Sequence, residues 1–167
     1  MLDAWKARNP NVVRVVAYTT RPPRAHEQDG VDYHFVSDDE FMNHVVSGDF
    51  LEYKEVHGHK YATPLNDMED LLRNGKVAVL KIDVQGAIMV MNLRPDAETV
   101  FLLPPDADEL ERRITGRGTE DESSILTRLK NAQGEIQQAE KYRHRLINDV
   151  VDKTVDELEA IVGAKQA

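Results

Sequence analysis

The chain has 167 residues, 41% of them hydrophobic and 31% charged, which suits one folded domain with a real core. A formal net charge of -9 and a pI of about 5.1 argue against nucleic-acid or anionic-membrane binding, so any phosphate chemistry must come from local arginine clusters. The absence of cysteine removes disulfides, thiolate metal sites and a cysteine nucleophile. No apolar run reaches the roughly 18 residues of a membrane span. The opening MLDAWKARNP lacks the apolar stretch of a signal peptide, and the expected location is the cytoplasm.

Residues 2–10 read as part of a helix. Residues 12–18 (VVRVVAY) are β-branched and aromatic and read as a strand. TTRPPR follows, with Pro22 and Pro23 forcing extended or turn backbone. Asp29-Gly30 is a turn signal that short antiparallel strands would flank. Ser37 and Glu40 form a capping box for a helix with Phe41 and Val45 inward, and Gly48 is placed to end it. Thr63-Pro64 has the form of an N-cap and a first helical proline. Leu65, Met68, Leu71 and Leu72 then make an apolar stripe that Gly75 closes.

Residues 77–82 (VAVLKI) have the near-continuous apolar character of a buried parallel strand, and 99–103 are a second such run. Residues 106–114 and 123–140 read as helices, and 145–148 as a short strand. Thr154 with Glu157 spells a capping box for a last helix. Strands alternating with helices define an α/β fold around a mostly parallel sheet. The turn-rich, more polar stretch 20–64 reads as an inserted lobe.

Arg21 and Arg24 stand three apart on that proline-stiffened segment, a spacing suited to bidentate capture of one phosphate. Tyr33 and Tyr61 bring hydroxyls that can complete a phosphate shell. The Glu52 carboxylate can accept from the N1-H and exocyclic amine of guanine, a donor pair adenine lacks. By residue type alone, the same groups also suit a solvated loop with packing tyrosines.

Word order adds to this. TTRPPR, DGVDYHFVS, GDFLEYKEVHGHKYATP, LKIDVQGA, LPPD, ERRITGRGTEDE and IND occur in sequence, and together they resemble the guanylate kinases from about residue 8 to the last helix. The resemblance implies a P-loop-kinase-type parallel sheet flanked by helices. It implies a core of 1–19 and 65–167, a lid at about 112–128, and a GMP-binding lobe at 20–64. It implies ATP-dependent phosphorylation of GMP to GDP in the intact enzyme. Arg21, Arg24, Tyr33 and Tyr61 match positions that hold the GMP phosphate, and Glu52 and Thr63 match positions that read guanine. Asp83 matches an acidic residue of the nucleotide site. Arg113, Arg117 and Arg128 match arginines that close over the ATP phosphates, and Asn148 matches a position near the adenine.

The sequence also departs from that family. Its GxxGxGKS/T loop, which cradles ATP phosphates and supplies a Mg²⁺ ligand, is not present in the sequence, nor is the strand before it. Lys81 stands where an acidic residue is usual, placed either to pair with Asp83 or to meet phosphate; as an ammonium it would repel Mg²⁺. Ala17 and Ala62 replace a common serine and glycine. The expectation is a chain, truncated or inactive, that keeps GMP binding, binds ATP weakly or not at all, and holds Mg²⁺ with ATP only as an intact family member would. The competing expectations are a catalytically dead guanylate-kinase-like module that binds phosphorylated partners, and a nonfunctional fragment. Oligomeric state is not legible.

Overall fold

The computed structural model describes residues 1–56, 58–115 and 122–166, with backbone alone at 122–125, 128 and 166. The chain divides into two compact units. One comprises Lys6–Ala97; the other joins Met1–Trp5 to Glu98–Ala167.

The first unit follows helix α1 (Leu2–Arg8), which crosses the division. Strand β1 (Val12–Arg14) pairs in parallel with β6 (Val77–Val79), from Val12 opposite Val77 to Arg14 opposite Val79. The run 12–18 is therefore not one strand. It leaves β6 after the Val15 amide bonds to the Val79 carbonyl at 3.0 Å, and resumes as β2 (Tyr18–Thr19) in a different sheet. Burial shows why: Val12 and Val15 are both buried, a spacing of three that a straight strand, with its period of two, cannot supply. β6 likewise ends at Val79, short of the expected 82.

The second sheet holds four strands in the order β3-β2-β5-β4, with β3 at His34–Phe35, β4 at Phe50–Val56 and β5 at His59–Pro64. β2 runs parallel to β3 and antiparallel to β5, which pairs antiparallel with β4. At Asp29-Gly30 the turn forms, with Gly30 at φ 72°, but it carries one isolated parallel bridge, Asp29 to Tyr33, rather than antiparallel strands. Helix α2 (Asp38–Ser47) has the expected capping box: the Ser37 hydroxyl accepts from the Glu40 amide and the Glu40 carboxylate accepts from the Ser37 amide. Gly48, left-handed at φ 73°, ends it. Phe41 on α2 is fully buried and packs on Phe50 at 4.9 Å, and Tyr18, His34 and His44 complete an aromatic layer under the sheet.

Two helices finish this unit. α3 (Leu65–Arg73) buries Met68, but its N-cap is Pro64 and it has no side-chain cap bond. Thr63 instead lies in β5, its hydroxyl turned to Glu52, so the expected threonine cap is replaced by a strand role. α4 (Val84–Leu93), which the sequence reading left unassigned, starts from Asp83, whose carboxylate accepts from the Gly86 amide at 3.0 Å; Ala87 and Val90 are buried.

In the other unit, β7 (Val100–Leu103) and β8 (His144–Ile147) form a two-stranded parallel sheet. α5 (Ala107–Thr115) and α6 (Glu122–Ile136) come between them, α6 passing into a 3-10 turn at Gln137–Lys141. α7 (Val151–Gln166) buries Thr154, Val155 and Leu158. The expected Thr154/Glu157 capping box does not form. Thr154 lies inside the helix and its hydroxyl donates back to the Val150 carbonyl at 3.1 Å. Trp5 is buried here, its indole N-H bonded to the Glu159 carboxylate. Glu98 gathers Arg143 at 3.0 Å, His144 at 2.9 Å and Lys165 at 3.6 Å.

Candidate functional site

Residues opposite each other across a strand pair share a face of the sheet. Glu52 is opposite Thr63, Lys54 opposite Tyr61, Tyr61 opposite Thr19, and Thr19 opposite Phe35. The other face carries Tyr18, His34 and Ala62, against the aromatic layer. Pairing thus sorts the lobe into an apolar underside and a polar face.

At one end of the polar face stands Glu52, 5% exposed. Its Oε1 accepts from the Thr63 hydroxyl at 2.6 Å. Its Oε2 is buried and has no hydrogen-bond partner among the described residues. Such an oxygen costs about 1–3 kcal/mol while unmet. Lys54, two residues along β4, points the same way and forms an ion pair with Asp83, the cap of α4. The first turn of α4 comes down over both: a Cβ added at Gly86 would lie 3.3 Å from Glu52 Oε2 and 3.5 Å from Lys54 Nζ. Gly86 is small because a carboxylate and an ammonium occupy the space above it.

At the other end, Tyr33 is flanked by two guanidinium groups, Arg14 at 5.7 Å and Arg21 at 5.6 Å from the ring centre, and meets Tyr61 edge-on at 6.0 Å. Arg21 Nη2 donates to both oxygens of Glu27, at 2.8 and 2.9 Å, and the Arg24 amide donates to the same carboxylate at 2.8 Å. Glu27 thus sets a planar anion on Arg21 Nη2, while Nη1 donates to the Pro22 carbonyl at 2.7 Å. Burial pushes the Glu27 carboxyl up, but the Arg24 amide and Arg21 guanidinium outweigh it and hold it below the ordinary value.

The structure therefore gathers Arg21, Tyr33, Tyr61, Thr63 and Glu52 on one face. Arg24 is exposed at its margin and contributes its amide through Glu27. Asp83 is nearby, held by Lys54. Lys81 is exposed and lies beyond the end of β6; the lysine that pairs with Asp83 is Lys54, from another strand. Arg113 and Asn148 belong to the other unit. Arg113 Nε donates to Glu109 at 2.7 Å and Nη2 to the Asn148 carbonyl at 3.0 Å. Arg117 lies outside the described residues, and Arg128 is described in its backbone only. Sequence reading missed Arg14, Glu27 and Lys54. The period of two along β4 was the available signal for Lys54, since it must share a face with Glu52.

Parallel strands joined through helices, with a small mixed sheet presenting clustered arginines and a buried carboxylate, define an α/β nucleotide-binding protein of the P-loop-kinase type. The model of the guanylate kinase family matches residues 3–165. A guanylate kinase of Clostridium perfringens is 43% identical over 151 residues, 90% of this chain and 70% of its own length. One from Alkalilimnicola ehrlichii is 43% identical over 166 residues, 99% of this chain and 82% of its own. The crystal structure of guanylate kinase from Anaplasma phagocytophilum superposes with a TM-score of 0.80 at 33% identity, covering 98% of this chain and 81% of that one. The chain belongs to the guanylate kinase family, enzymes that transfer a phosphoryl group between ATP and GMP.

That family works with ATP and Mg²⁺. Asp83 does not fit a Mg²⁺ ligand here: its carboxylate is ion-paired to the Lys54 ammonium and accepts from the Gly86 amide, and the Lys81 ammonium stands two residues before it. Among the described residues no helix is long and apolar enough to cross a membrane.

Proposed function

We propose that this chain binds GMP on the polar face of the 20–64 lobe, against a core of 1–19 and 65–167, and transfers phosphoryl groups poorly by itself. The observation that carries the reading is the buried, unmet Oε2 of Glu52, set on the same sheet face as the arginine-tyrosine cluster. A carboxylate fixed by Thr63 presents acceptors only. Guanine offers two adjacent donors, N1-H and the 2-amino group, whereas adenine offers a bare N1 there. Arg21, Arg24, Tyr33 and Tyr61 take the 5′-phosphate, which competes with Glu27 for Arg21 Nη2. Asp83 lies beside the base through its bond to Lys54. Arg113, Arg117 and Arg128 are assigned to the transferring phosphates and Asn148 to the adenine side.

Weak transfer rests on the chemistry of the chain. The Asp83 carboxylate is already neutralised by an ammonium, which takes it out of metal binding. Phosphoryl transfer needs positioned cations around the moving group rather than covalent help, so that pairing bears on turnover and not on GMP binding.

Calorimetry with GMP and AMP, run beside a coupled assay with GMP and MgATP, tests both halves. GMP is expected to bind at least about 10-fold more tightly than AMP, with turnover at background. Equal affinity for AMP would sink the base reading, and turnover well above background would sink the second half. A phosphopeptide that binds while GMP does not would favour an interaction module instead.

A further inference from the structure

Arg14 and Arg21 flank one ring but are held differently. Arg21 is bonded to the Glu27 carboxylate at 2.8 and 2.9 Å. Arg14 is half-buried at the end of β1, and its Nε is buried with no hydrogen-bond partner among the described residues. An arginine kept for packing alone would gain nothing from burying an unmet donor. Arg14 Nη2 donates to the Asp32 carbonyl at 2.6 Å, and its guanidinium carbon stands 5.7 Å from the centre of the Tyr33 ring. These contacts fall on consecutive residues. The Asp32 carbonyl belongs to the peptide unit that leads into Tyr33, so one contact holds the backbone there and the other holds the ring. A planar guanidinium suits both tasks at once, because its edge can donate while its charge lies against an aromatic face.

The loop that carries Tyr33 closes largely on itself. The Gln28 amide donates to the Asp32 carboxylate at 2.8 Å, and the Gly30 amide donates to the Tyr33 carbonyl at 2.8 Å. Such bonds set the shape of the loop. They do not fix Tyr33 against β1, which pairs with β6 in the other sheet of this unit; Arg14 makes that tie. We infer that Arg14 is a positioning residue for Tyr33, aiming its hydroxyl at the 5′-phosphate without touching the ligand. The inference rests on the GMP reading and deepens it: one guanidinium binds the phosphate, and the other sets the phenol that completes its shell.

The test uses the whole chain and calorimetry with GMP and with guanosine, which lacks the phosphate. Arg14→Met is expected to weaken GMP about 10-fold and guanosine by less than about 3-fold. Tyr33→Phe is also expected to weaken GMP about 10-fold, and adding Arg14→Met to it should cost less than about 3-fold more, because the two act as a unit. Arg14→Lys keeps the charge but not the planar fork, and should still lose at least about 3-fold for GMP. Circular dichroism checks folding; should Arg14→Met not fold, Arg14→Lys takes its place in the same comparisons. Equal weakening of GMP and guanosine would show that Arg14 only supports the fold, and would overturn the inference. Additive losses in the double variant would overturn it too, as would full recovery with lysine, since either means that Arg14 acts by charge and not through Tyr33. Unchanged GMP affinity in Arg14→Met or in Tyr33→Phe has the same force. A wild type that binds neither ligand overturns the GMP reading itself, and this inference with it, before any variant is compared.

Discussion

The polar face of the lobe and helix α5 both carry arginines and glutamates, but they hold charge in opposite ways. On the lobe, Arg21 and Glu27 have side chains only 14% and 9% exposed and bond through both carboxylate oxygens. On α5, Arg112 and Arg113 reach Glu109 along their own helix with side chains 71% and 42% exposed. The first arrangement is fixed by β2, the TTRPPR turn and Tyr33 together. The second is a local i,i+3 and i,i+4 pattern that water and salt screen. Buried, cross-braced charge pre-positions groups for a ligand, whereas exposed charge on one helix can re-pair at little cost.

The comparison can be broken most forcefully beneath the lobe. Phe41→Ala removes the centre of the aromatic layer under the sheet and should cost about 3–5 kcal/mol, read as a lower midpoint in urea unfolding. A loss under about 1 kcal/mol would mean that the polar face does not depend on that layer.

Glu52→Gln comes next. GMP should bind about 100-fold more weakly by calorimetry. Because the native oxygen is buried and unmet, the ligand-free variant should melt at the same temperature as wild type or higher. A lower melting temperature would show that Oε2 already has a protein partner.

Acid sharpens the contrast further. Glu27 and, in the other unit, Glu98 both titrate below the ordinary 4.5, Glu98 chiefly through its bond to His144. A depressed carboxyl contributes stability that is present above pH 4.5 and is lost as pH falls through the lower folded value. Glu27→Gln and Glu98→Gln should each flatten part of the decline in unfolding free energy below pH 4.5. A decline as steep as wild type in either variant would remove that group from the account.

The smallest effect belongs to α5. Arg113→Ala should change stability by no more than about 0.5 kcal/mol, with GMP affinity unchanged. A larger change in unfolding would give the bond to the Asn148 carbonyl a structural weight that exposed pairs seldom have.

What the sequence made legible follows the range of the interactions involved. The Ser37/Glu40 box and Gly48 are local, and both form as spelled. The same spelling at Thr154/Glu157 failed because the 3-residue spacing says nothing about where a helix begins, and α7 begins earlier, at Val151. Thr63 read as a cap by its proline neighbour, but cross-strand pairing with Glu52 claimed it. Spacing offers Lys81, two residues away, as a partner for Asp83, whereas Lys54 arrives from a strand about thirty positions earlier, a juxtaposition only the sheet creates. Ordered motifs point to the five residues of the polar face; their shared face is a product of register.

Trp5 is the sole tryptophan, and it is buried in the unit formed by Met1–Trp5 and Glu98–Ala167. Four of the five tyrosines, Tyr18, Tyr33, Tyr53 and Tyr61, lie in the other unit. The indole thus reports on one unit and most of the phenols on the other, with Tyr142 in the indole's unit. Indole emission follows the environment of α7 through the Glu159 bond, while phenol absorbance follows the sheet that bears the candidate site. During unfolding or titration, the two colours report whether the units respond together or in turn.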